Sequence, residues 1–487
     1  MSLPDQTNNS TATKQIMNIN VPVNARRNVG RASRLPSERV SASEKENLSA
    51  ASSTGAGGTP ALLCYHAAFS DRRAFPMLGF LLLPIVLTAA LALASLSTFA
   101  QTWQTVDDFQ YVAGGASLNY GLTVGPNGAL FASGYAGDSA GLYHGLVLAS
   151  IDSGITWSAP LDDYLYGPDW DTLYDGGMVA DAAGNLYVAG ETYYVGSNPN
   201  GDWANHWIVR RSTNGGSSWS LVDDFAPGSP ETQSFGLATD AAGNVYVAGV
   251  ANHVGVNDLV WTVRKGVGGA SFTTAETFSV NGSSQANGIY AHPTAGIFAV
   301  GSAYIPGTKG YKSTEAWIVR RSLNGGATWS TVDNFQLSQN LNSRAFGVGA
   351  DASGNLYVVG QGFVKSRNNA YSHWIVRKST NGGNSWSTVD DFQLSPTSNS
   401  GAGRFVADSN GNLYVAGGTP FNPWFPNEWI VRKNPGGTGA WQTVDDFQYV
   451  SGGSALPYAM AANASGNVFV GGVGSSSSSE RWVVRKR

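Results

Sequence analysis

The sequence predicts an all-β protein: a seven-bladed β-propeller of four-stranded antiparallel blades, closed by half-blades from its N- and C-terminal ends. Three observations support this prediction. Gly is abundant (61 of 487 residues), Trp is common (15) and only 13% of residues are charged, a composition typical of short strands joined by tight turns. One β-rich phrase occurs seven times. A second phrase alternates with it at a period close to 55 residues, which accommodates the four strands of one blade.

The first phrase predicts strands A and B of each blade. "DAAGNLYVAG" (181–190) recurs with changes, the first and fourth copies being the weakest, at 125–134, 240–249, 292–301, 351–360, 408–417 and 463–472. In "DAAGN" the Asp side chain caps a type I turn, and Gly supplies a positive φ. The β-branched and aromatic "LYVAG" that follows is typical of a strand. The preceding segment, such as "FGLAT", is then strand A.

The second phrase predicts strands C and D. "HWIVRRSTNGGSSWSLVDDF" (206–225) returns as "AWIVRRSLNGGATWSTVDNF" (316–335) and "HWIVRKSTNGGNSWSTVDDF" (373–392). "WIVRR" is strand C, the Gly-rich stretch is a turn, and "WSLVDDF" is strand D. In an antiparallel blade the A–B and C–D turns lie on one face, and the B–C and D–A loops lie on the other.

The two ends of the propeller predict how the ring closes. "TWQTVDDFQYV" (102–112) is a D strand without a preceding C strand, and "RWVVRKR" (481–487) is a C strand without a following D strand. Pairing the two completes the seventh blade and removes an open sheet edge.

The first hundred residues are expected to lie outside the propeller. Residues 1–75 are rich in Ser, Ala and Asn and lack an apolar period, which predicts a disordered segment. Residues 76–100 contain the uncharged run 77–96, with two arginines before it and small residues after it. This pattern predicts a signal peptide or, if it is not cleaved, a membrane anchor. The propeller would then occupy residues 101–487 of an exported protein: secreted, periplasmic or on the cell surface.

Charge and cysteine content exclude several classes of function. Residues 101–487 contain 20 Lys or Arg and 28 Asp or Glu, a formal net charge of −8. Without clustered positive charge, nucleic acid is not an expected partner. The only cysteine, Cys64, precedes the propeller, so neither disulfides nor a CxxC zinc site is expected in it. We expect a monomer that contacts a membrane only through 77–96, if that run is retained.

One turn matches a known motif residue for residue. "SIDSGITW" (150–157) has the pattern Ser-x-Asp-x-Gly-x-Thr-Trp of the Asp-box, or BNR, repeat, and later copies resemble it with Asn for Asp. "DAAGNVYVAG" is similar to the bacterial propeller repeat called SBBP. The resemblance implies a sialidase-like propeller architecture, which enzymes, receptors and assembly factors share. Because the box recurs on several blades, we predict a structural role for Ser150, Asp152, Gly154, Trp157, Ser212, Asn214, Gly216, Trp219, Ser322, Asn324, Gly326, Trp329, Ser379, Asn381, Gly383 and Trp386.

The repeated charges are also predicted to be structural. The basic pairs that end the C strands, such as Arg210 and Arg211, are expected to form rim ion pairs with the "DxxGN" aspartates. The "VDDF" carboxylates are expected to cap turns on an acidic outer rim, with Ca²⁺ as the alternative and no other cofactor. His144, His206 and His373 begin C strands on separate blades, so no metal site is predicted.

The resemblance implies an enzymatic alternative. Sialidases hold the substrate carboxylate with three arginines and use a Tyr–Glu nucleophile pair with an acidic proton donor. Arg344 and Arg404 are unrepeated and begin A strands near the expected channel, which makes them candidate binding residues. However, the Phe/Tyr-Arg-Ile-Pro motif is absent, and no unrepeated arginine of the propeller precedes Arg344. "GDSAG" (137–141) fits an esterase pattern, but Ser139 falls between two strands rather than in a strand-to-helix turn.

The variable loops on the B–C and D–A face carry aromatic residues among polar ones. Such rings offer flat surfaces to a sugar or a peptide, although packing across the loops is the alternative. The candidate residues are Trp170, Tyr193, Tyr194, Trp203, Trp424 and Phe425.

These observations favour an exported, non-catalytic propeller that binds a glycan, a peptide or an envelope partner through these loops, rather than an enzyme. A sialidase-type glycoside hydrolase is one alternative. An assembly or scaffold factor that uses the basic C–D face is the other.

Overall fold

The computed structural model describes residues 102–196, 205–228, 231–252, 258–307, 312–367, 369–419, 428–476 and 479–487. Within these ranges the chain forms seven four-stranded antiparallel sheets, and its helical content is a single 3₁₀ turn, Pro435–Gly437. The innermost strand of each blade contacts that of the next, and the last contacts the first. The predicted seven-bladed propeller is therefore confirmed.

Each blade follows the predicted order from the channel outward: A, B, C, D. Blades I to IV contain β2–β5 (Ser117–Val124, Leu130–Gly137, Tyr143–Ser150, Asp162–Tyr164), β6–β9 (Trp170–Ala180, Leu186–Tyr194, His206–Ser212, Ser220–Phe225), β10–β13 (Thr232–Thr239, Val245–Ala251, Val260–Val267, Ala270–Phe278) and β14–β17 (Ser284–His292, Gly296–Ile305, Thr314–Ser322, Ser330–Phe335). Blades V to VII contain β18–β21 (Ser343–Ala350, Leu356–Ser366, Asn369–Ser379, Ser387–Phe392), β22–β25 (Gly401–Ala407, Leu413–Thr419, Glu428–Asn434, Gln442–Phe447) and β26–β28 (Ser454–Ala462, Val468–Ser475, Glu480–Lys486) with β1 (Gln104–Phe109).

The ring closes as the half-blades predict. Strand β1 pairs antiparallel with β28, so that Gln104 lies opposite Lys486 and Phe109 lies opposite Trp482. The expected segments 1–75 and 76–100 lie outside the described residues. Within the described ranges, no helix has the length and apolar character needed to span a bilayer.

The tryptophan of "WIVRR" explains the glycine of "VAG". Trp207 is fully buried and meets Phe225 of its own blade edge to face, with 6.1 Å between ring centroids. A Cβ added to Gly249 in the next blade would lie 2.8 Å from Cζ3 of Trp207 and 2.0 Å from the carbonyl oxygen of Gln233. The same fully buried tryptophan occurs on six blades, at Trp207, Trp261, Trp317, Trp374, Trp429 and Trp482.

Blade I departs from this packing. It has Gly145 in place of the tryptophan, and the space is filled by Tyr174 from a bulge in the A strand of blade II. A Cβ on Gly145 would lie 2.8 Å from the Tyr174 ring. The Tyr174 hydroxyl donates to Asp162 at 2.6 Å, so the substitution in one blade is matched by an insertion in the next.

The first arginine of each basic pair ties two blades together, which corrects the predicted rim pairing. Arg264 Nε donates to Asp223 Oδ2 of the preceding blade at 2.8 Å, and its guanidinium carbon lies 4.2 Å from the centroid of the Phe225 ring. The expectation that the "VDDF" carboxylates form an outer rim is therefore wrong for the first one. The interblade pairs are Arg210–Asp162, Arg264–Asp223, Arg320–Glu276, Arg377–Asp333, Arg432–Asp390 and Arg485–Asp445.

The seventh interblade pair is missing at the closing seam. Asp107 on β1 has the position of these carboxylates, but blade I has Leu148 where the arginine belongs, buried in an apolar cluster with Val106, Phe109 and Trp482. The Oδ2 atom of Asp107 is buried without a hydrogen-bond partner among the described residues. Burial raises the pKa of Asp107 to about 7.

The second basic residue of each pair lies over an aromatic ring of its own blade, and some also donate to the C–D turn of the next blade, as Lys265 Nζ does to the Gly325 carbonyl at 2.7 Å. Lys378 Nζ lies 5.2 Å from the centroid of the Tyr357 ring, and the Tyr357 hydroxyl donates to Asp351 of the "DASGN" turn at 3.1 Å. Lys378 thus lies near the predicted Asp351 without pairing with it directly: the lysine contacts the Tyr357 ring, and the Tyr357 hydroxyl binds the aspartate.

The box turns have the hydrogen bonds that a structural role requires. Gly154 N–H donates to Ser150 Oγ at 2.7 Å, and Asp152 Oδ1 accepts from Thr156 N–H at 2.9 Å. Gly326 N–H likewise donates to Ser322 Oγ at 2.8 Å, and Gly326 has a φ of +92°, which favours glycine. The structural role of the box residues and their resemblance to the Asp-box repeat remain predictions, consistent with this geometry.

Candidate functional site

Groups that break the repeat gather on the B–C and D–A face of blades VII, I and II. They are Glu480 at the start of β28, Tyr143 at the start of β4, Asp171 at the start of β6, and Glu191 and Tyr193 near the end of β7. We call these five residues the carboxylate–tyrosine arc. Because each position has a different residue in most other blades, the repeat does not require them.

Asp171 lies at the middle of the arc. Its Oδ1 atom accepts from Tyr143 N–H at 2.8 Å, and its carboxylate also accepts from the Tyr193 hydroxyl. The side chain is almost completely buried, with 6% of the residue exposed. These contacts fix the orientation of the carboxylate and join blade I to blade II at the mouth of the channel.

The two glutamates flank this centre. Glu480 of blade VII acts electrostatically on Tyr143, and Glu191 acts on Tyr193. Glu191 also accepts a hydrogen bond from Gln233 Nε2 at 3.1 Å. All five residues are thus linked through direct pairwise interactions, and the arc continues to blade III through Gln233.

Three stacked tyrosines lead from the arc to the channel wall. Tyr458 and Tyr120 stack with 4.4 Å between ring centroids, and Tyr120 and Tyr135 stack at 5.5 Å. Tyr143 meets Tyr135 edge to face at 5.3 Å. We call Tyr458, Tyr120 and Tyr135 the tyrosine stack. Tyr120 is buried between the other two rings, so the half-buried Tyr135 and Tyr458 are the members of the stack that could offer an aromatic surface to a ligand with apolar faces and hydroxyl groups.

The pKa values in the arc are shifted toward the neutral forms. Burial raises the pKa of Asp171, and the nearby Asp138 carboxylate raises it further against the hydrogen bonds from Tyr143 and Tyr193. Burial alone raises the pKa of Glu480. Burial and then the Glu480 and Asp171 carboxylates raise the pKa of Tyr143, so this phenol is not activated as a nucleophile. Carboxyl groups that keep a proton at higher pH are suited to acid–base catalysis.

The predicted loop aromatics separate into two groups. Tyr193 belongs to the arc. Trp170 packs across the loops instead: its ring lies 5.0 Å from Tyr166, 5.6 Å from Tyr194 and 5.3 Å from His206, centroid to centroid. This is the packing that the alternative interpretation describes. Trp203, Trp424 and Phe425 lie outside the described residues.

The predicted arginines lie on neighbouring blades but do not form a sialidase-type cluster. Arg344 at the start of β18 is ion-paired with Glu315 of blade IV. Arg404 on β22 donates to the carbonyl of Gly403 at 3.0 Å. Arg481 donates to Asp108 on the outer strand at 2.8 Å. Among the described residues, Arg481 is therefore held at the outer strand and does not complete a triad with Arg344 and Arg404.

The histidines that begin C strands pair with the second "VDDF" carboxylate. His206 Nδ1 lies 2.6 Å from Asp224 Oδ1, and Asp224 also accepts from the Tyr166 hydroxyl at 2.8 Å. The same His–Asp contact recurs at His144–Asp163 and His373–Asp391. In the described ranges no group of three or more His, Cys, Asp or Glu side chains is placed to hold a metal ion.

The "GDSAG" segment forms a tight turn between β3 and β4. Asp138 Oδ1 accepts from the backbone N–H groups of Ala140 and Leu142, both at 2.8 Å. Ser139 thus lies in a capped strand-to-strand turn, not in the strand-to-helix turn that a nucleophilic serine requires.

Sequence reasoning missed Tyr143, Asp171, Glu191 and Glu480. Their signal was present as departures from the repeat: "VAGE" in blade II has Glu191 where the other strong copies have Val, Gln or Gly. The departures lie far apart in the chain, however, and only the closed ring brings Glu480 next to Tyr143.

Comparison with known proteins found similarity to solved structures only. No protein-family model matches the chain, and no curated protein matches it. Among solved structures, the chain is similar to a polysaccharide lyase of family PL25, an ulvan lyase (TM-score 0.42, 13% identity, 77% of this chain and 95% of that one). It is similar to an α-L-arabinofuranosidase from Fusarium graminearum (0.42, 10%, 76% and 92%) and to the Trypanosoma rangeli sialidase (0.37, 13%, 76% and 55%). At these identities the likeness shows the fold alone.

The preference for a non-catalytic binding protein is not supported: the three neighbours are glycan-processing enzymes. The described chain is a seven-bladed β-propeller whose structural neighbours include propellers of the sialidase-like and glycoside-hydrolase families.

Proposed function

We propose that this propeller is a glycan-processing enzyme of the glycoside-hydrolase type, and that the carboxylate–tyrosine arc is its catalytic centre. The observation that carries the proposal is the presence of two carboxyl groups with raised pKa values, Asp171 and Glu480, on either side of Tyr143 and beside the tyrosine stack. Cleavage of a glycosidic bond uses two carboxyl groups, one as proton donor and one as base or nucleophile.

The environments of the two carboxyl groups suggest their roles. Glu480 is half-buried, and burial favours its protonated form, so we assign it as the proton donor to the leaving oxygen. Asp171 is held by the Tyr143 N–H and the Tyr193 hydroxyl, which orient its carboxylate, so we assign it as the base or nucleophile. The stacked tyrosines would support the apolar face of a sugar ring.

The charge of the arc indicates a neutral substrate. The main charged groups that shift the pKa values of Tyr143 and Tyr193 are the carboxylates of Asp171, Glu191 and Glu480. An acidic sugar would be repelled by the carboxylates of Asp171 and Glu191, because like charges in a partly buried site cost free energy. We therefore expect arabino-, xylo- or galacto-configured neutral glycans rather than sialosides.

The test is release of reducing ends by the full chain from a panel of neutral polysaccharides, with sialyl-lactose and polygalacturonate as acidic substrates. Asp171→Asn and Glu480→Gln should each lower kcat about 100-fold or more. With wild type, activity should fall at alkaline pH as Glu480 loses its proton, and this limb of the pH profile should be missing from the residual activity of Glu480→Gln.

Glu428→Gln is the matched control. Glu428 also begins a C strand on the same face, in blade VI, and burial raises its pKa as well, but it lies outside the arc. Its replacement should leave kcat unchanged. Equal kcat for Glu480→Gln and wild type, or cleavage of none of the panel by wild type, would contradict the proposal.

A further inference from the structure

The wall across the channel from the arc carries a second polar cluster, formed by Tyr304, Glu315, Arg344 and Gln361. We propose that this Arg344 cluster is a sugar-binding subsite that positions the substrate of the arc by its hydroxyl groups. The inference rests on the proposed function and adds to it the residues that hold the distal part of the substrate.

The position of the cluster follows from the closed ring. Glu315 and Tyr304 belong to blade IV, and Arg344 and Gln361 belong to blade V. In a ring of seven, the boundary between blades IV and V lies opposite blade I, which contributes Tyr143 to the arc. Arg344 and Gln361 are at the same end of their strands as the arc residues, close to the B–C and D–A loops. A linear glycan bound at the arc would therefore meet this cluster by crossing the channel mouth.

Arg344 is both fixed and accessible. Its guanidinium is ion-paired with the Glu315 carboxylate through Nε and Nη2. Glu315 is buried, whereas 32% of the Arg344 side chain is exposed. Arg344 is the one charged residue at its register position: the equivalent residues of the other A strands are Leu118, Leu173, Gln233, Gln285, Gly401 and Leu456. The ring packing therefore does not require an arginine here.

Gln361 supplies the complementary group. It lies directly opposite Arg344 in the β18–β19 pairing, where side chains of facing residues are neighbours. Only 5% of Gln361 is exposed, and its Oε1 atom has no hydrogen-bond partner among the described residues. A guanidinium donor beside a carboxamide acceptor matches a sugar hydroxyl, which both accepts and donates a hydrogen bond.

The charge balance decides which sugars this cluster would take. Glu315 already compensates the charge of Arg344, so an acidic sugar would have to displace or share the buried carboxylate, at a cost in desolvation. A neutral hydroxyl group uses the remaining guanidinium N–H groups without disturbing the pair. We therefore assign the cluster to neutral hydroxyl groups.

The experiment measures binding as well as turnover, so that its outcome does not depend on catalysis. Linear arabino- and xylo-oligosaccharides are titrated into the full chain by calorimetry, with polygalacturonate fragments as the acidic probe. Arg344→Gln and Gln361→Leu should each weaken binding of at least one neutral probe about tenfold. On any substrate that is cleaved, both should raise KM more than they lower kcat. The melting temperature of Gln361→Leu should be unchanged or higher, because an unsatisfied buried oxygen is removed.

Arg367→Gln is the control. Arg367 lies at the exposed tip of the β19–β20 hairpin, in the same blade and on the same face, and its replacement should not alter binding. Wild-type binding of a neutral probe without any cleavage would contradict the proposed function but not this subsite. Binding of no neutral probe by wild type, unchanged affinity in both variants, or tighter binding of the acidic probe that depends on Arg344 would each overturn the subsite.

Discussion

At the scale of single residues, most of the charged side chains of this propeller serve the ring, and a few do not. The arginine that begins "RR" or "RK" forms an interblade ion pair on six blades, so its repetition indicates a structural role. Two kinds of exception remain: charged groups where the repeat has none, as in the arc, and a repeat carboxylate without its partner. Asp107 is of the second kind.

We predict that Asp107 makes the stability of the protein fall with rising pH. Its folded pKa of about 7 lies above the usual aspartate value of 3.8, so the folded state favours the protonated form. Its contribution is complete below about pH 4 and is lost as the pH rises through 7, up to about 4 kcal/mol. Asp107→Asn should therefore gain stability relative to wild type between pH 4 and 8, measured by denaturant unfolding at a series of pH values.

Asp445→Asn provides the comparison, because Asp445 occupies the same position in blade VI and has Arg485 as its partner. Neutralising it leaves a buried arginine unpaired, which should destabilise the protein by about 3 kcal/mol at neutral and alkaline pH, where the wild-type carboxylate is charged. An Asp107→Asn variant that follows the wild-type pH dependence would show that the carboxylate is solvated at the seam.

At the scale of the strand, the repeat is a rule for packing one blade on the next. The C-strand tryptophan of one blade needs a glycine in the B strand of its successor, because the indole lies against the backbone. Blade I shows the rule by exception, since Gly145 is compensated by Tyr174 from blade II. The packing of a blade therefore depends on residues of the neighbouring blade as well as on its own.

We predict that Gly249→Ala destabilises the protein by about 3 kcal/mol or more. The new Cβ would lie 2.0 Å from the Gln233 carbonyl and 2.8 Å from Trp207, so either the A strand or the tryptophan must move. Gly403→Ala is the control, because its nearest atom, the Ala416 carbonyl oxygen, is 3.5 Å away and the contact is ordinary. Thermal and denaturant unfolding measure both. Equal stability of the two variants would contradict the packing rule.

At the scale of the whole molecule, the ring is held closed by one noncovalent strand pairing. Every other D strand follows its C strand through a short turn, whereas β1 meets β28 from the opposite end of the chain. Asp107, which lacks its interblade arginine, also lies on β1. We infer that β1 is held less firmly than the other D strands.

We predict that Asp108→Pro in β1 lowers the melting temperature more than Asp391→Pro in β21. The two residues have the same place in their blades, opposite Val483 and Ile375, and proline removes the same backbone donor from each, at about 3 kcal/mol or more. Among the D strands, only β1 is not connected to its C strand by a turn, so no such connection holds it beside β28 once the strand pairing is weakened. Calorimetry should show a less cooperative transition for Asp108→Pro. Asp108→Ala separates this effect from loss of the Arg481 ion pair.

The seven blades and their strand order could be predicted because the same turn and strand pattern recurs in every copy of the repeat. Each copy of "DAAGNLYVAG" carries its own turn residues and strand pattern, so errors in one copy are corrected by the others. The unrepeated residues have no such support. Arg344 was predicted from its place at the start of an A strand, but its partner Glu315 was not, since the pair joins two blades.

The sequence by itself determined the architecture: local turn chemistry, strand alternation and the half-blades at the two ends specify a closed seven-bladed ring. Tertiary structure decided which charges face one another. The interblade arginines, the seam at Asp107 and the carboxylate–tyrosine arc all depend on contacts between residues of different blades. Such contacts are set by the stacking of whole sheets around an axis, and no local pattern records them.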